Sequence, residues 1–389
     1  MLIKDIPAAL QKLSAAGVYR HVADFRMITP TLAESPSGER FIVFNSNNYL
    51  GLTHRREVIE AAAKALQYGT GSGGARLTSG SSFEISRLER HFARFRGSED
   101  TLVFNTGYMT NLGVLFALAS KDDVIFSDAL NHASIIDGCR ISRAKVVVYP
   151  HADAEALEKL MKENPTDGQR FIVTDGVFSM DGDIAPLPEL ARLRDEYHAF
   201  LITDEAHAAG VIGRTGRGTG EYFGNPGLSD LTVGTLSKTL ASEGGCAASS
   251  KNVIEFLRNR SRPFIFSTAI SPSTAAAADA ALTVLENEGG SLMERLGRSV
   301  AFMRKTLTEA GLPVVPGETA IIPVILGDPE KAVRLAAKCR EQHILLSAIR
   351  PPSVPVGTSR IRLTVTAAHT EEELSRASET IIRAFREEL

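Results

Sequence analysis

Short apolar runs alternate with amphipathic stretches between residues 100 and 235 of this 389-residue chain. The runs are strand-sized and rich in β-branched residues: TLVF at 101, DVIF at 123, KVVVY at 145, RFIVT at 170, AFLIT at 199 and DLTVG at 230. The stretches that begin at Ala154 and Leu187 carry apolar residues at three- and four-residue spacing, which predicts amphipathic helices. The alternation therefore predicts an α/β fold built on a mostly parallel sheet.

The pattern changes after about residue 285, where it predicts a smaller α+β lobe. It reads as a helix from Met293, a strand-like AIIPVIL at 320, a helix from Pro329, a strand-like SRIRLTV at 359 and a final charged helix. The first residues hold one predicted helix and the strand FIVF, which is too little to fold alone. We predict three parts: residues 1–50 packing on the small lobe, a large domain over 51–284, and a small domain over 285–389.

Composition and charge exclude several classes of protein. Lys and Arg number 43 against 46 acidic residues, and a net charge of −3 favours small-molecule substrates over nucleic acid or an acidic membrane. The three cysteines are widely spaced, without a CxxC pair or a nearby histidine cluster, so we expect neither a disulfide framework nor a metal site. The sequence shows no signal-peptide pattern and no apolar window of membrane-spanning length, which predicts a cytoplasmic protein.

Polar residues that could take part in catalysis or in binding a cofactor follow the ends of the predicted strands, and parallel sheets bind their ligands at these ends. Asp204 ends one apolar run and precedes His207, and Lys238 follows the next run. In isolation, an aspartate and histidine at this spacing are more often a helix cap and a surface residue. One strand apart, however, a lysine and a carboxylate are what pyridoxal phosphate needs, because its aldehyde takes an amine and its ring nitrogen takes a carboxylate.

Further strand ends carry polar residues as well. The turn at Gly107 and Tyr108 places backbone N–H groups at the start of a helix, which suits a phosphate. His132 follows another run beside Ser134, and DGVFSMDGD follows RFIVT. Each of these segments alone would be an ordinary turn. Their coincidence on consecutive strands predicts a cofactor cleft.

Signature stretches spread over nearly the whole chain carry a resemblance to a known family. They are NSNNYLGL at 45, GTGSGGARLTSG at 69, the turn at Gly107, SDALNHASIIDG at 127, VFSMDGD at 177, DEAHAAG at 204, GTLSK at 234, FIFSTA at 264 and SRIRLTVTAAH at 359. With these stretches the sequence resembles the α-oxoamine synthases, a branch of the fold-type I pyridoxal-phosphate enzymes. The resemblance implies the fold-type I transferase fold and pyridoxal 5'-phosphate as the cofactor.

The resemblance also implies roles for individual residues. Lys238 would form the Schiff base, Asp204 would pair with the pyridine nitrogen, and His132 would stack on the ring. The phenolic oxygen would be held by His207 and Ser179. The remaining positions are those expected to bind the phosphate, namely Gly107, Tyr108 and Thr235 with Ser267 and Thr268 from a second subunit of a homodimer, and those expected to contact substrate, namely Asn47, Arg362 and Arg20.

The activity that the resemblance implies is the condensation of an amino acid with an acyl thioester, with loss of carbon dioxide. The stretch Arg350-Pro351-Pro352 favours members that use L-alanine and a pimeloyl thioester in biotin biosynthesis, with coenzyme A or an acyl carrier protein as the thiol. Glycine C-acetyltransferase is the nearest alternative, followed by serine palmitoyltransferase and 5-aminolevulinate synthase. Non-catalytic relatives should lack the Schiff-base lysine, which this chain keeps as Lys238. Two positions depart from the family pattern: Ile85 replaces a histidine and Asp175 replaces a glutamate.

Overall fold

The computed structural model describes residues 3–15 and 19–388. Its α-helices are α1 (Ile6–Ala15), α2 (Arg56–Ala65), α3 (Phe83–Arg96), α4 (Gly107–Leu118), α5 (Ala133–Ser142), α6 (Ala154–Glu163), α7 (Leu187–Glu196), α8 (Thr219–Tyr222), α9 (Lys251–Arg260), α10 (Arg262–Ile265), α11 (Pro272–Glu309), α12 (Pro329–Glu341) and α13 (Glu371–Arg386). Its strands are β1 (Arg26–Met27), β2 (Leu32–Glu34), β3 (Arg40–Val43), β4 (Asp100–Phe104), β5 (Val124–Asp128), β6 (Lys145–Tyr149), β7 (Arg170–Asp175), β8 (Ala199–Asp204), β9 (Leu231–Thr235), β10 (Gly245–Ser249), β11 (Ile321–Gly327), β12 (Ile344–Leu345), β13 (Ser347–Ile349) and β14 (Ser359–Thr364).

The chain divides into two compact units. The large unit comprises Asn47–Arg298 and Glu318–Ala320, and the small unit comprises Met1–Ser46, Ser299–Gly317 and Ile321–Leu389. The divisions after residues 46 and 298 differ from the predicted divisions after 50 and 284. Residue 284 lies inside α11, which continues without a break for 38 residues and includes the helix predicted from Met293.

A seven-stranded sheet in the order β4-β10-β9-β8-β7-β5-β6 forms the centre of the large unit. Parallel pairing joins β6, β5, β7, β8 and β9 in turn, whereas β10 runs antiparallel to both β9 and β4. Strand β4 therefore runs in the same direction as β9, and the carboxyl ends of β4, β5, β7, β8 and β9 share one edge. This topology confirms the mostly parallel α/β sheet and all six strands predicted between residues 100 and 235.

Helices cover both faces of this sheet, which explains its continuous apolar runs. On one face, Ile125 and Ile202 pack with residues of α4, α5, α9 and α10. On the other face, Phe126 and Leu201 pack with residues of α6 and α7. Because alternate residues of one strand point to opposite faces, burial on both faces leaves almost no polar position inside a strand. Polar chemistry is consequently confined to the strand ends.

The small unit contains two small sheets. One has the order β1-β2-β3-β12, in which β3 and β12 pair in parallel, and the other has the order β11-β14-β13 with antiparallel pairing. Strand β3 thus connects the N-terminal segment with the C-terminal part of the chain. A capping box at Thr370 and Glu373 begins α13.

No helix in the two described ranges combines the length and the apolar composition needed to cross a membrane. The cytoplasmic location inferred from the sequence stays a prediction.

Candidate active site

The polar residues that end neighbouring strands meet at the common carboxyl edge of the large sheet. Asp204 ends β8 and stands directly opposite Asp175, which ends β7. Two helices begin at the same edge, because Thr106 caps α4 and His132 caps α5 through their side chains. Lys238 follows β9, the next strand beyond β8. The sheet therefore brings together the lysine, the carboxylate and the helix starts that the sequence predicted.

Lys238 belongs to a chain of hydrogen bonds that ends at Asn47. Its Nζ lies 2.9 Å from Nε2 of His207, and Nδ1 of the same ring lies 2.6 Å from the hydroxyl of Tyr49. The Tyr49 hydroxyl donates to Oδ1 of Asn47 at 3.3 Å. All three contacts are satisfied when the His207 proton is on Nδ1, because Nε2 then accepts from the lysine. The arrangement orients His207 and, through it, the lysine amine.

Asp204 is buried and held by a second set of hydrogen bonds. Its Oδ2 accepts from Nδ2 of Asn111 at 2.6 Å, and its Oδ1 accepts from the backbone N–H of Ala206 at 2.9 Å. Asn111 also donates to Oγ of Ser134 at 2.9 Å, which in turn lies 2.7 Å from Nδ1 of His132. One amide group thereby links the carboxylate to the histidine that begins α5.

The electrostatics of this edge reflect its two neighbouring carboxyl groups. Burial raises the pKa of Asp175 well above its ordinary value, and the charge of Asp204 raises it further. Oδ2 of Asp175 accepts the backbone N–H of His132 at 2.8 Å. Desolvation lowers the pKa of His132, Asp204 opposes that shift and Lys238 adds to it. The departure from the family pattern at Asp175 therefore contributes to fixing the backbone of His132.

The start of α4 packs closely against β9 and β10. The N–H groups of Gly107 and Tyr108 lie in the first turn, where a helix supplies no acceptor of its own. A Cβ on Gly107 would lie 3.3 Å from Cβ of Thr235, and a Cβ on Gly245 would lie 2.6 Å from the backbone N of Gly107. The hydroxyls of Thr235 and Ser237 are 2.7 Å apart beside this helix start. Glycine at these positions permits this close approach.

The remaining predicted residues of the large unit lie in two loops. Ser179 belongs to a loop closed by an antiparallel bridge between Val177 and Ile184, which we call the Ser179 loop (residues 177–184). Ser267 and Thr268 follow α10, and the carbonyl of Thr268 accepts Nδ2 of Asn105 within the same chain at 2.6 Å. Their contacts with cofactor stay predictions.

Arg362 and Arg20 belong to the small unit. Arg362 is buried in β14, where its Nη1 donates to Oγ1 of Thr364 at 3.0 Å. Arg20 is exposed, and its Nη2 lies 3.5 Å from Oγ of Ser353. Their predicted contacts with substrate also stay predictions.

The residues of the large unit fit pyridoxal phosphate. They supply an amine for the aldehyde in Lys238, a buried carboxylate for the ring nitrogen in Asp204, and N–H and hydroxyl donors for the phosphate around Gly107. Two glycines allow the start of α4 to approach β9 and β10 closely, which places its first N–H groups beside the Thr235 hydroxyl. Fold and site together define a pyridoxal-phosphate enzyme.

Comparison with known proteins assigns the class. The family model described as "Aminotransferase class I and II" matches residues 39–381. A serine palmitoyltransferase from S. paucimobilis, solved with a PLP-myriocin aldimine, has a TM-score of 0.93 at 32% identity and covers 98% of this chain and 97% of its own. The chain belongs to the aminotransferase class I and II family and is a pyridoxal-phosphate-dependent acyltransferase of the α-oxoamine synthase branch.

Within that branch, similar curated proteins include 8-amino-7-oxononanoate synthases. The 8-amino-7-oxononanoate synthase of Geobacter metallireducens is 46% identical over 378 residues, which is 96% of each chain. The solved 8-amino-7-oxononanoate synthase of Francisella tularensis is 30% identical, with a TM-score of 0.77, and covers 90% of this chain and 98% of its own. These similarities confirm the predicted family and its cofactor.

Sequence reasoning overlooked two residues that organise the site. Asn111 is a buried amide in the otherwise apolar helix α4, and such a residue signals a hydrogen-bonding role because unpaired buried amides are costly. Tyr49 lies in the NSNNYLGL stretch, in which the resemblance implies a role only for Asn47. In the sequence, only its place in that motif indicates a role for Tyr49.

Proposed function

We propose that this enzyme condenses L-alanine with a pimeloyl thioester to give 8-amino-7-oxononanoate, carbon dioxide and the free thiol. The observation that carries the proposal is the near-complete, 46% identity with an 8-amino-7-oxononanoate synthase, combined with a lysine, a carboxylate and a helix start at one sheet edge. Serine palmitoyltransferase remains the second candidate because of the 0.93 TM-score, although the identity there is 32%.

The proposed reaction uses the amino acid first. Arg362 and Asn47 bind its carboxylate, because a guanidinium and an amide together make directed hydrogen bonds to both oxygens. The bound cofactor supplies a ring that accepts the electron pair left on the substrate Cα when its proton departs. Lys238 Nζ takes that proton, and His207 holds the amine in place. The Cα then attacks the thioester carbonyl and the thiol leaves. The carboxyl group is lost as carbon dioxide, and the electron pair that it leaves on this carbon takes up a proton to give the product.

An open pocket of the small unit is consistent in size and lining with a dicarboxylic acyl substrate. Its volume is about 1130 Å³, which exceeds what an acetyl group needs. Its apolar lining includes Leu10 and Leu13 of α1 and Val333 of α12, and two cationic side chains, Arg20 and Arg350, also face it. We propose that the apolar part receives the methylene groups of the pimeloyl chain and that Arg20 binds its distal carboxylate.

A product assay tests the reaction. Purified holoenzyme is supplied with alanine, glycine or serine and with pimeloyl, acetyl or palmitoyl thioesters, and each product is identified by mass. The proposal expects turnover of alanine with the pimeloyl thioester above all other pairs. Preferred turnover of glycine with acetyl-CoA, or of serine with palmitoyl-CoA, would refute it. Offering pimeloyl-CoA and a pimeloyl carrier protein in parallel identifies the thiol.

Arg20→Ala tests the carboxylate contact. It should raise KM for the pimeloyl thioester about tenfold, the effect of losing one charge-assisted hydrogen bond, and leave KM for alanine unchanged. A heptanoyl thioester, which lacks the distal carboxylate, should be used equally well by variant and wild type. Arg26→Ala is the matched control, because Arg26 is an exposed arginine of the same unit that does not line this pocket.

We also propose a homodimer in which Ser267 and Thr268 reach the cofactor phosphate of the partner subunit. The support is apolar exposure in the single chain: Phe266 is 69% exposed and Phe83 is 90% exposed. The segment containing Phe266 is hydrogen bonded to the glycine-rich stretch that precedes Phe83, through Oγ of Ser72 and the carbonyl of Ala269. Light scattering should give twice the 41.9 kDa chain mass, and a monomer that binds cofactor and turns over would refute this arrangement.

A further inference from the structure

His151 makes two ion pairs between separate segments of the large unit. It follows β6 by two residues, and its Nδ1 lies 3.0 Å from Oδ1 of Asp128 while its Nε2 lies 2.8 Å from Oδ2 of Asp183. The ring also meets the ring of Phe178 edge to face at 4.3 Å between centroids. Three directions of contact therefore fix the position of this imidazole.

Both nitrogens of His151 must donate, because a carboxylate only accepts. A neutral imidazole has one N–H and would direct a lone pair at one of the two carboxylates. Burial lowers the pKa of His151, but the hydrogen bonds and charges of Asp128 and Asp183 outweigh burial and raise the pKa to about 10. The ring is thus a cation at neutral pH, and neither nitrogen is available for acid–base catalysis.

Asp128 is the fixed end of this arrangement. It ends β5 inside the sheet, and its carboxylate also accepts the backbone N–H groups of Leu130 and Ala152 at 2.8 and 2.9 Å. Its side chain is 1% exposed. The position of Asp128 is therefore set by the sheet and by the two turns that leave β5 and β6, and it does not depend on His151.

The Asp183 carboxylate, by contrast, is held by its contact with His151. It lies in the Ser179 loop, whose base is closed by the N–H of Phe178 donating to the carbonyl of Asp183 at 3.0 Å. Oδ1 of Asp183 is buried and makes no hydrogen bond within the described ranges of the chain. His151 therefore supplies the hydrogen bond that ties this carboxylate to the sheet, while Oγ1 of Thr319 holds the same loop at the carbonyl of Gly182, at 2.6 Å.

We propose that His151 is a positioning residue that clamps the Ser179 loop to the sheet so that Ser179 is held in register with the cofactor ring. This inference rests on the proposed function in one respect: it takes Ser179 as a cofactor contact. His151 does not itself touch substrate or cofactor. Its contribution is to remove the freedom of a loop whose tip carries the contacting hydroxyl.

The clamp is tested first in the cofactor-free protein, by hydrogen exchange of the backbone amides of Phe178 and Gly182. His151→Gln should speed exchange in this loop about tenfold, because a charge-assisted hydrogen bond is lost. Asp183→Ala, which removes the other partner at a partly exposed position, should do the same. His91→Gln is the matched control, since His91 also lies between two carboxylates, 2.7 Å from Asp279 and 2.9 Å from Glu286. Unchanged loop exchange in the first two variants would overturn the proposal.

The second test is a double-mutant cycle read by cofactor affinity, the Kd of pyridoxal 5'-phosphate from fluorescence titration. His151→Gln and Ser179→Ala should each raise Kd about tenfold. Because both changes remove the same contact, the Kd of the double variant should be no higher than the higher of the two single-variant values. Fully additive effects would overturn the proposal even if the loop is loosened. If both tests succeed while no product forms from alanine and a pimeloyl thioester, the clamp stands and the proposed function fails.

Discussion

Replacing Tyr49 by Phe removes one oxygen atom from the middle of the hydrogen-bond chain that joins Lys238 to Asn47. The tyrosine is fully buried, and its hydroxyl both accepts from Nδ1 of His207 and donates to Asn47. Phe retains the ring and therefore the packing. The change isolates the effect of the hydroxyl group.

The expected cost follows from the groups left behind. His207 is 7% exposed, so its Nδ1–H would lose the tyrosine hydroxyl as an acceptor in a largely water-excluded position. A buried donor left unpaired costs about 1–3 kcal/mol. We expect the free energy of unfolding to fall by that amount. The His207 ring would also lose the contact that directs Nε2 at Lys238, so kcat should fall about tenfold or more while KM for the acyl thioester changes little.

Urea denaturation of the cofactor-free protein measures the first effect, and steady-state kinetics of the holoenzyme measures the second. Tyr149→Phe is the matched control for stability. Tyr149 is also fully buried, but its hydroxyl faces Thr174 and takes no part in the hydrogen-bond chain of Lys238, so removing it should cost less than removing the Tyr49 hydroxyl. If Tyr49→Phe destabilises the protein no more than Tyr149→Phe, the assignment of the Lys238 hydrogen-bond chain is wrong.

Three further predictions concern other parts of the molecule. Lys238→Ala should abolish product formation, and borohydride reduction should add the cofactor mass to wild-type protein and not to this variant. Gly245→Ala should weaken cofactor binding at least tenfold by equilibrium titration, because its Cβ would lie 2.6 Å from backbone atoms of Gly107. Burial lowers the pKa of His369 to about 4, so the folded protein binds fewer protons than the unfolded chain between pH 4 and 6.5. Stability should therefore rise with pH across this window by about 3 kcal/mol, and in urea titrations His369→Gln should lose that contribution.

The sequence alone determined most of the central sheet. The strands β4, β5, β7, β8 and β9 are largely buried on both faces, and each shows this burial in the sequence as a continuous apolar run, whereas the edge strand β6 is mostly exposed. The confinement of polar residues to strand ends explains why the chemistry was visible in the sequence: Asp204 and Lys238 stand out because each follows an apolar run. The strand β10 escaped prediction because Gly245, Cys246 and Ala247 are small and show no period. Their size is required by the helix α4 that packs against them, which is a property of the packing and not of the segment.

The tertiary structure alone decided which polar groups meet. Asn111 and Asp204 are far apart in the chain, as are Tyr49 and His207, and no local pattern relates the members of either pair. The antiparallel insertion of β10 between β4 and β9 places the turn at Gly107 beside Thr235. Periodicity reports whether a residue is buried, since burial repeats along an element. A hydrogen-bond partner depends on the path of the whole chain, and only the folded structure specifies it.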